Sequence, residues 1–402
     1  MARRPLHYHR VSGTIALAVA MLVAAACGGR AAPAASPPSN APSAPGAANQ
    51  APAASQPNAP AAPQASAPAA SQPSAATAYH PTPLNPPVTL QVGVVSSSSD
   101  GGIFIAMDRG YFQEEGLQVE TNQFQTGVDQ IAPLGAGQLD VGTGAIAAGL
   151  YNAIGRGVPL RMVADKGSTP SPEWDFNALM IRKDLIDSGQ VKDYKDLKGL
   201  TITTTAPGNS TEVDVARALE KGGLTFADIN FNHISFTDMI TAFANRAIDG
   251  GIVIEPYLSR IEKLGTAVRW KGTRDFYGNQ QVAVVMYGPK LVEEQQDVAR
   301  RWMTAYIRGV RDYNDAFGPK RRGRDEVIQI LINHTPIKDA SVYDEMRPAG
   351  LDPDGKLDVD SIRGDLAYYE QAGEVTQQVD LSKVIDTSFT DYAVQQLGPY
   401  QR

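Results

Sequence analysis

An α/β fold of two lobes is predicted by three features of the 402-residue sequence. Short apolar runs alternate with helical periods. The part able to build a core is about 310 residues long, too many for one ordinary core. A local pattern also recurs once, 109 residues further on. The strand candidates are 88–95, 117–124, 139–142, 160–164, 178–181, 200–204, 229–234, 251–254 and 282–286. Most are rich in Val and Ile and are bounded by Gly, Asn or Asp, as buried parallel strands are. Between them apolar residues fall at helical spacing, weakly in Val213, Ala216 and Leu219 and strongly in Val298, Trp302, Ala305, Tyr306, Val310, Tyr313 and Phe317. Strand and helix in alternation imply α/β layers on a mostly parallel sheet. The recurring pattern sets Leu134 to Gly142 against Phe243 to Gly251, with Asp140 and Asp249 at matching points. Both read as a helix end running into a strand. Either two αβ junctions are alike by chance or two lobes share one topology and face each other across a cleft.

The N-terminus carries three signals in order: a basic start (Arg3, Arg4, Arg10), a 12-residue apolar run over 15–26, and Cys27. That is a secretory signal ending at a cysteine. About 20 apolar residues are needed to span a bilayer as a helix, so the run is too short for a permanent membrane span. Cys27 is the only cysteine, which excludes an internal disulfide and any thiolate metal cluster. Its placement resembles the lipobox of bacterial lipoproteins, where this thiol becomes the lipidated N-terminus. Ala24 departs from that pattern, and an ordinary signal peptide with an incidental cysteine is the alternative. Removal of the three leader arginines takes the formal charge from −7 to −10. Such an acidic surface argues against nucleic acid or anionic lipid as a partner. Residues 28–87 are almost entirely Ala, Pro, Ser, Gln, Asn and Gly, a disordered tether by composition. As a flexible coil its ~60 residues reach roughly 40 Å.

At 108–120, Asp-Arg-Gly-Tyr-Phe-Gln-Glu-Glu-Gly-Leu-Gln-Val-Glu, the chain resembles a segment of the SsuA/THI5-like (NMT1-like) periplasmic binding proteins. These feed importers of sulfonates, nitrate, pyrimidine vitamin precursors and related solutes. Further matches follow in the family's order: Gly137 to Gly142, Gly155 to Val163, Asp196 to Gly199, Ala218 to Leu224, Ala247 to Asp249, Glu255-Pro256-Tyr257 and Asp386 to Phe389. The resemblance implies a type II periplasmic-binding-protein fold, two α/β lobes joined by two crossing strands around a central cleft. The crossings fall near 177–181 and 281–287. Lobe 1 then combines 88–177 with 286–402, and lobe 2 is 178–285. The implied role is extracytoplasmic capture of a small solute for the permease and ATPase of an ABC importer, by a monomer held at the outer face of the membrane through a lipid anchor only.

In open α/β sheets ligands bind beyond the carboxyl ends of strands, where helix N-termini offer free N–H groups. That rule selects Ser97, Ser98, Asp100 and Gly101 after the first strand, with Phe104 as an apolar wall. It selects Thr126 and Gly127 after the second strand, and Thr143 and Gly144 at the third. In the second lobe it selects Asn209, Ser210 and Thr211 before a helix. Capping and turn chemistry alone is the alternative for each loop. Glu255, after an apolar strand, is placed to accept hydrogen bonds from a ligand or to brace the hinge. Tyr257 is placed to stack on a flat ring or to pack structurally. Trp174, in a Pro-rich loop, lines the cleft mouth or packs on the surface. Lys166 is the nearest cation. Glu255 and Asp100 together with Phe104, Tyr257 and Phe236 favour a flat, hydrogen-bonding heteroaromatic ligand, with a sulfonate or nitrate-like anion next.

No metal site, cofactor or catalytic constellation is expected. Gly142-Thr-Gly-Ala-Ile-Ala147 outlines a dinucleotide fingerprint with Asp165 further on, but it falls in the third strand–helix unit. Neither a nucleophile elbow nor a P-loop is present, and His233 and His334 stand far apart. Pyrimidine-synthase members of the family rely on a cysteine-rich iron motif, and this chain has only Cys27. The competing functions are a sensor that presents solute to a membrane receptor and, less favoured, an exported enzyme on the same fold.

Overall fold

The structure, a computed structural model, describes residues 79–401. The signal segment, Cys27 and the tether as far as residue 78 lie outside the described residues. Among the described residues ten strands form two five-stranded sheets. The first sheet runs in the order β2-β1-β3-β10-β4, built from β1 (Val88–Val94), β2 (Leu117–Gln123), β3 (Val141–Ala145), β4 (Arg161–Ser168) and β10 (Gln281–Tyr287). The second runs β7-β6-β8-β5-β9, built from β5 (Asn177–Arg182), β6 (Thr201–Thr204), β7 (Asn230–His233), β8 (Gly250–Ile254) and β9 (Ala267–Gly272). Nine strands overlap the apolar runs read from sequence. The tenth, β9, is an edge strand with Arg269, Trp270 and Lys271 half-buried, so it shows no apolar run.

The sheets are less parallel than expected. β1 pairs parallel with β2 and β3, and β6 with β7 and β8, but β10 lies antiparallel between β3 and β4, and β5 antiparallel between β8 and β9. The reason is the crossing of the chain. It leaves the first sheet after β4, enters the second as β5, and returns as β10. A strand arriving from the opposite lobe enters at the edge where the parallel strands end, and so it runs against them.

The repeated pattern in the sequence is this junction. The Asp140 N–H donates to the carbonyl of Gln91 at 2.9 Å, and its Oδ2 accepts the Gln91 N–H at 2.8 Å. Asp249 repeats the arrangement on Thr201, with both distances 2.9 Å. Each aspartate also holds the incoming crossing strand. The Asp140 carbonyl accepts the Gly288 N–H and its carboxylate meets Lys290, while the Asp249 carbonyl accepts the Arg182 N–H and its carboxylate meets the Arg182 guanidinium. One side chain thus ties three strands together in each lobe, and charge-assisted bonds to N–H groups are the strong kind.

The helix Gln296–Phe317 buries Trp302, Tyr306, Val310 and Tyr313 in the core of the first lobe. It crosses the helix Gly101–Asp108 where Gly309 meets the carbonyl of Gly102, an approach that leaves no room for a Cβ on Gly309. Residues 79–87, tether by composition, make defined contacts with this lobe: Tyr79 donates to Glu115 at 2.6 Å and Arg301 to the Thr82 carbonyl at 2.7 Å. Among the described residues no helix is long and apolar enough to cross a membrane.

Replacing Asp140 by Ala leaves the Gln91 N–H without its acceptor next to a chain crossing. We expect a loss of about 1.5–3 kcal/mol, typical of a hydrogen bond to a charged group, in urea denaturation. A midpoint unchanged within error would show that the junction does not depend on this carboxylate.

Candidate functional site

The carboxyl ends of the strands of both sheets face one another across the cleft, as the fold class requires. From the first lobe come Val95 and Ser99 beyond β1, Thr126 and Gly127 beyond β2, Ala145 at the end of β3 and Lys166 in β4. From the second come Thr205 beyond β6, Thr211, Phe236 and Ile254 at the end of β8. Phe176 and Val282 stand on the two crossings. The space these residues enclose is about 30 Å³, room for one or two waters.

Its polar end is an ion pair. The Lys166 ammonium lies 3.0 Å from Oδ1 of Asp100, and neither side chain is more than 1% exposed. Thr143 donates to the same carboxylate oxygen at 3.1 Å, and the Ser97 N–H donates to the other at 2.9 Å. Asp100 immediately precedes the helix Gly101–Asp108, so its carboxylate sits at a helix N-terminus, where the partial positive charge of the peptide dipoles favours an anion. The anion-favouring position at this end of the cleft is therefore filled by the chain's own carboxylate, and the cation beside it is neutralised. Gly127 and Gly144 touch backbone to backbone, closing the gap between the second and third loops with no room for a side chain on either.

The residues selected from sequence divide into three groups. Thr126, Gly127 and Thr211 line the space itself, while Asp100, Thr143 and Gly144 form the layer directly behind it. A second group joins the lobes. The Ser98 N–H and hydroxyl both donate to the Glu255 carbonyl, at 3.3 and 3.0 Å, and Tyr257 donates to the Ser96 carbonyl at 3.3 Å while stacking on Phe236. Ser210 donates its N–H to the Ile146 carbonyl at 2.9 Å and its hydroxyl to the Val282 carbonyl at 2.8 Å.

The third group does other work. The Glu255 side chain is fully buried and accepts from Ser259 at 3.0 and 2.9 Å, from Arg269 at 2.8 Å and from the Arg347 N–H at 3.4 Å, so it braces the hinge and does not line the slot. Burial pushes its carboxyl up and the Arg269 guanidinium down, and their mutual attraction offsets part of each shift. Asn209 caps the helix Ser210–Lys221, accepting the Glu212 N–H, as its capping reading allowed. Ser97 bonds Ser99 and Asp100 within its own turn, and Gly101 packs on the Tyr313 ring. Phe104, expected as a cleft wall, instead stacks on His334 at 4.7 Å in the first lobe's core, because it lies on the helix face turned to the helix Arg324–His334. Trp174 stands beside Gly318, away from the enclosed space.

Behind the cleft two carboxyls are buried where the lobes meet. Asp214, on the helix Ser210–Lys221, accepts from Asn177 at 2.6 Å, and Asp365, on the helix Val359–Gln371, accepts from Tyr277. Burial holds the Asp214 carboxyl well above the usual carboxylate range and raises that of Asp365 to about 7. Asp165, under the first crossing, is likewise raised by burial to about 7. Among the described residues no group of three or more His, Cys, Asp or Glu is arranged to hold a metal ion.

Two α/β lobes joined by two crossing segments, the first sheet completed by β10 on the chain's return, with an enclosed slot between their strand ends, define the type II periplasmic-binding-protein fold. The chain belongs to the NMT1/THI5-like family, whose model matches residues 98–315. A putative binding protein of Brucella abortus is 26% identical over 214 residues, 53% of this chain and 62% of the relative, so the chain spans under two thirds of that relative's length. The 4-amino-5-hydroxymethyl-2-methylpyrimidine phosphate synthase of Schizosaccharomyces pombe is 29% identical over 153 residues, 38% of this chain and 40% of the relative. The alkanesulfonate-binding protein of Xanthomonas axonopodis pv. citri superposes with a TM-score of 0.60 at 17% identity, covering 75% of this chain and 99% of that one.

Two outcomes are expected. Lys166→Met leaves the Asp100 carboxylate buried and unpaired, which should destabilise the protein by about 3–5 kcal/mol, and adding Asp100→Asn should restore much of the loss. A double variant as unstable as the single one would contradict the pairing. For Asp365, the folded pKa is raised from about 3.9 unfolded to about 7. The stability its protonated form contributes is therefore complete below pH ~4 and lost as pH rises to ~7. The stability difference between wild type and Asp365→Asn, followed by urea denaturation, should shift against the wild type across that window and be flat above it; parallel curves would rule this out.

Proposed function

We propose that the chain is the extracytoplasmic solute-binding component of an ABC importer, and that it captures a small neutral organic solute, a heteroaromatic ring such as a pyrimidine, between its lobes. The observation that carries this reading is the Asp100–Lys166 pair. A sulfonate or nitrate bound at that end of the slot would bring a second anion to a helix N-terminus already occupied by a carboxylate and to a cation already matched. A neutral ring leaves the pair balanced. It would also meet apolar walls in Phe176, Phe236 and Ile254, with Ser99, Thr126, Thr205 and Thr211 as hydrogen-bonding groups at its edges. The ring in the name of the S. pombe synthase, a pyrimidine phosphate, supports a heteroaromatic ligand though not its neutrality, and the alkanesulfonate of the X. axonopodis protein supports the anion as the second choice.

Capture requires motion, because about 30 Å³ does not hold a ring. The lobes part by bending at the two crossings, breaking the bonds of Ser98 and Ser210 to the opposite lobe. A solute then stabilises the closed arrangement by touching both walls at once. In this reading the sequence boundaries, 88–177 with 286–402 against 178–285, shift by a few residues, since β10 from Gln281 is built into the first sheet and moves with it. The closed protein docks as a monomer on a permease with its ATPase, and Cys27, if lipidated, holds it to the membrane through the tether. A sensor would use the same clamp. The synthase relative raises an enzymatic reading, but the cysteine-rich motif of such enzymes has no counterpart in a chain with one cysteine.

Calorimetry on the purified full-length chain should show saturable binding of 4-amino-5-hydroxymethyl-2-methylpyrimidine, tighter than that of ethanesulfonate or nitrate. Thr211→Trp, which fills the slot, should abolish it. Tighter binding of either anion would sink the neutral-ligand reading, and consumption of the pyrimidine without a partner protein would sink the binding-protein reading.

A further inference from the structure

Among the described residues a second, larger cavity than the slot lies outside the cleft. It lies on the other side of the crossings, with a volume of about 730 Å³, in the range of small-molecule sites. One wall is the two crossing segments themselves, with Ser168, Pro170 and Trp174 on the first and Asn279 and Gln281 on the second. The opposite wall is the C-terminal part of the chain, where Leu351, Pro353, Leu357 and Tyr400 supply apolar surface.

The floor is built and fully bonded. Gln281 is buried and donates to Asp165 at 2.6 Å, the same carboxylate accepts the Asp352 N–H at 2.6 Å, and the Asp358 N–H donates back to Gln281 at 2.9 Å. Bonds between Ser168 and Gly350, at 2.8 and 3.1 Å, and from Asn279 to Asp358 pin each crossing to the far wall. The polar groups of the lining are mostly engaged. Asp352 accepts the N–H groups of Asp354 and Lys356, Asp358 accepts from Ser361 and Asn279, and the Lys320 ammonium bonds Asp315 and the Gln401 carbonyl. Among the described residues the Lys356 ammonium has no such partner. The lining therefore offers the half-buried rings of Trp174 and Tyr400, the latter with the Lys320 ammonium 4.6 Å from its centre on one face, and one uncommitted cation, Lys356, at the rim.

We infer that this cavity is a second ligand site, for a flat aromatic ring carrying one anionic group. The ring lies against Trp174 and Tyr400, and the anion meets Lys356. Because both crossings form its wall, a ligand there holds the hinge in the conformation seen here. The inference stands on the cavity alone and does not depend on which solute the cleft takes.

The test uses the full-length chain with 2-naphthoate as probe. Calorimetry should show saturable one-to-one binding, and the uncharged 2-naphthamide should bind several-fold more weakly. Trp174→Ala removes a stacking face, worth about tenfold in affinity by the usual strength of ring stacking. Lys356→Glu, an exposed change that leaves the fold intact, should weaken binding several-fold. Amide hydrogen exchange of 169–176 and 278–281 should slow when the probe is bound. Absence of saturable binding, wild-type affinity in Lys356→Glu, equal affinity for the amide, or unprotected crossings would each overturn the assignment.

Discussion

In each sheet the strand next to a chain crossing runs against its neighbours, and a single aspartate fastens that strand in place. Asp140 and Asp249 sit at equivalent helix-to-strand junctions, bonding the first strand of their sheet through both backbone and side chain and the incoming crossing strand through the carbonyl. β5 opens the second sheet, which one continuous stretch of chain then completes, whereas the first sheet is completed only when β10 returns from the second lobe. The chain passes between them only twice, and the relative placement of the lobes is left to those two segments. Rigid lobes on a two-strand hinge follow from this topology, and a cleft that can open and close follows from the hinge.

The chemistry of the cleft is set by what the fold has already neutralised. A helix N-terminus and a lysine at the end of a slot would ordinarily form an anion site. Here Asp100 occupies that position and meets Lys166, with Thr143 and the Ser97 N–H completing its shell. Removing one partner leaves an unpaired buried charge. The same logic marks the hinge-side cavity, where every carboxylate is bonded to N–H donors and one rim ammonium is not.

Much of the fold was legible because apolar runs and helical periods follow directly from burial. β9 was not, since an edge strand with Arg269, Trp270 and Lys271 half in solvent carries no such run. The excess of antiparallel pairing was also hidden: the crossings could be placed, but the direction in which they join each sheet depends on the opposite lobe. For the site, position beyond a strand end was readable and pointed to Thr126, Gly127 and Thr211. Which polar groups remain free was not. Glu255 is consumed by Ser259 and Arg269, Asn209 by its helix, and Phe104 by His334, all partners distant in sequence or set by helix rotation. In the sequence Lys166 reads only as a nearby cation, for its partnership with Asp100 joins two separate strands. The cavity behind the hinge joins five separate stretches of chain and leaves no local pattern at all.

The central claim is that two lobes move about the crossings and that a solute selects the closed arrangement. Fluorescence energy transfer between labels at Glu120→Cys on β2 and Asn232→Cys on β7, in a Cys27→Ser background, reads the distance between equivalent edges of the two sheets. The free protein should give a broad distribution of distances that narrows and shortens when 4-amino-5-hydroxymethyl-2-methylpyrimidine is added. A single narrow distance, the same with and without the pyrimidine at saturating concentration, would contradict it.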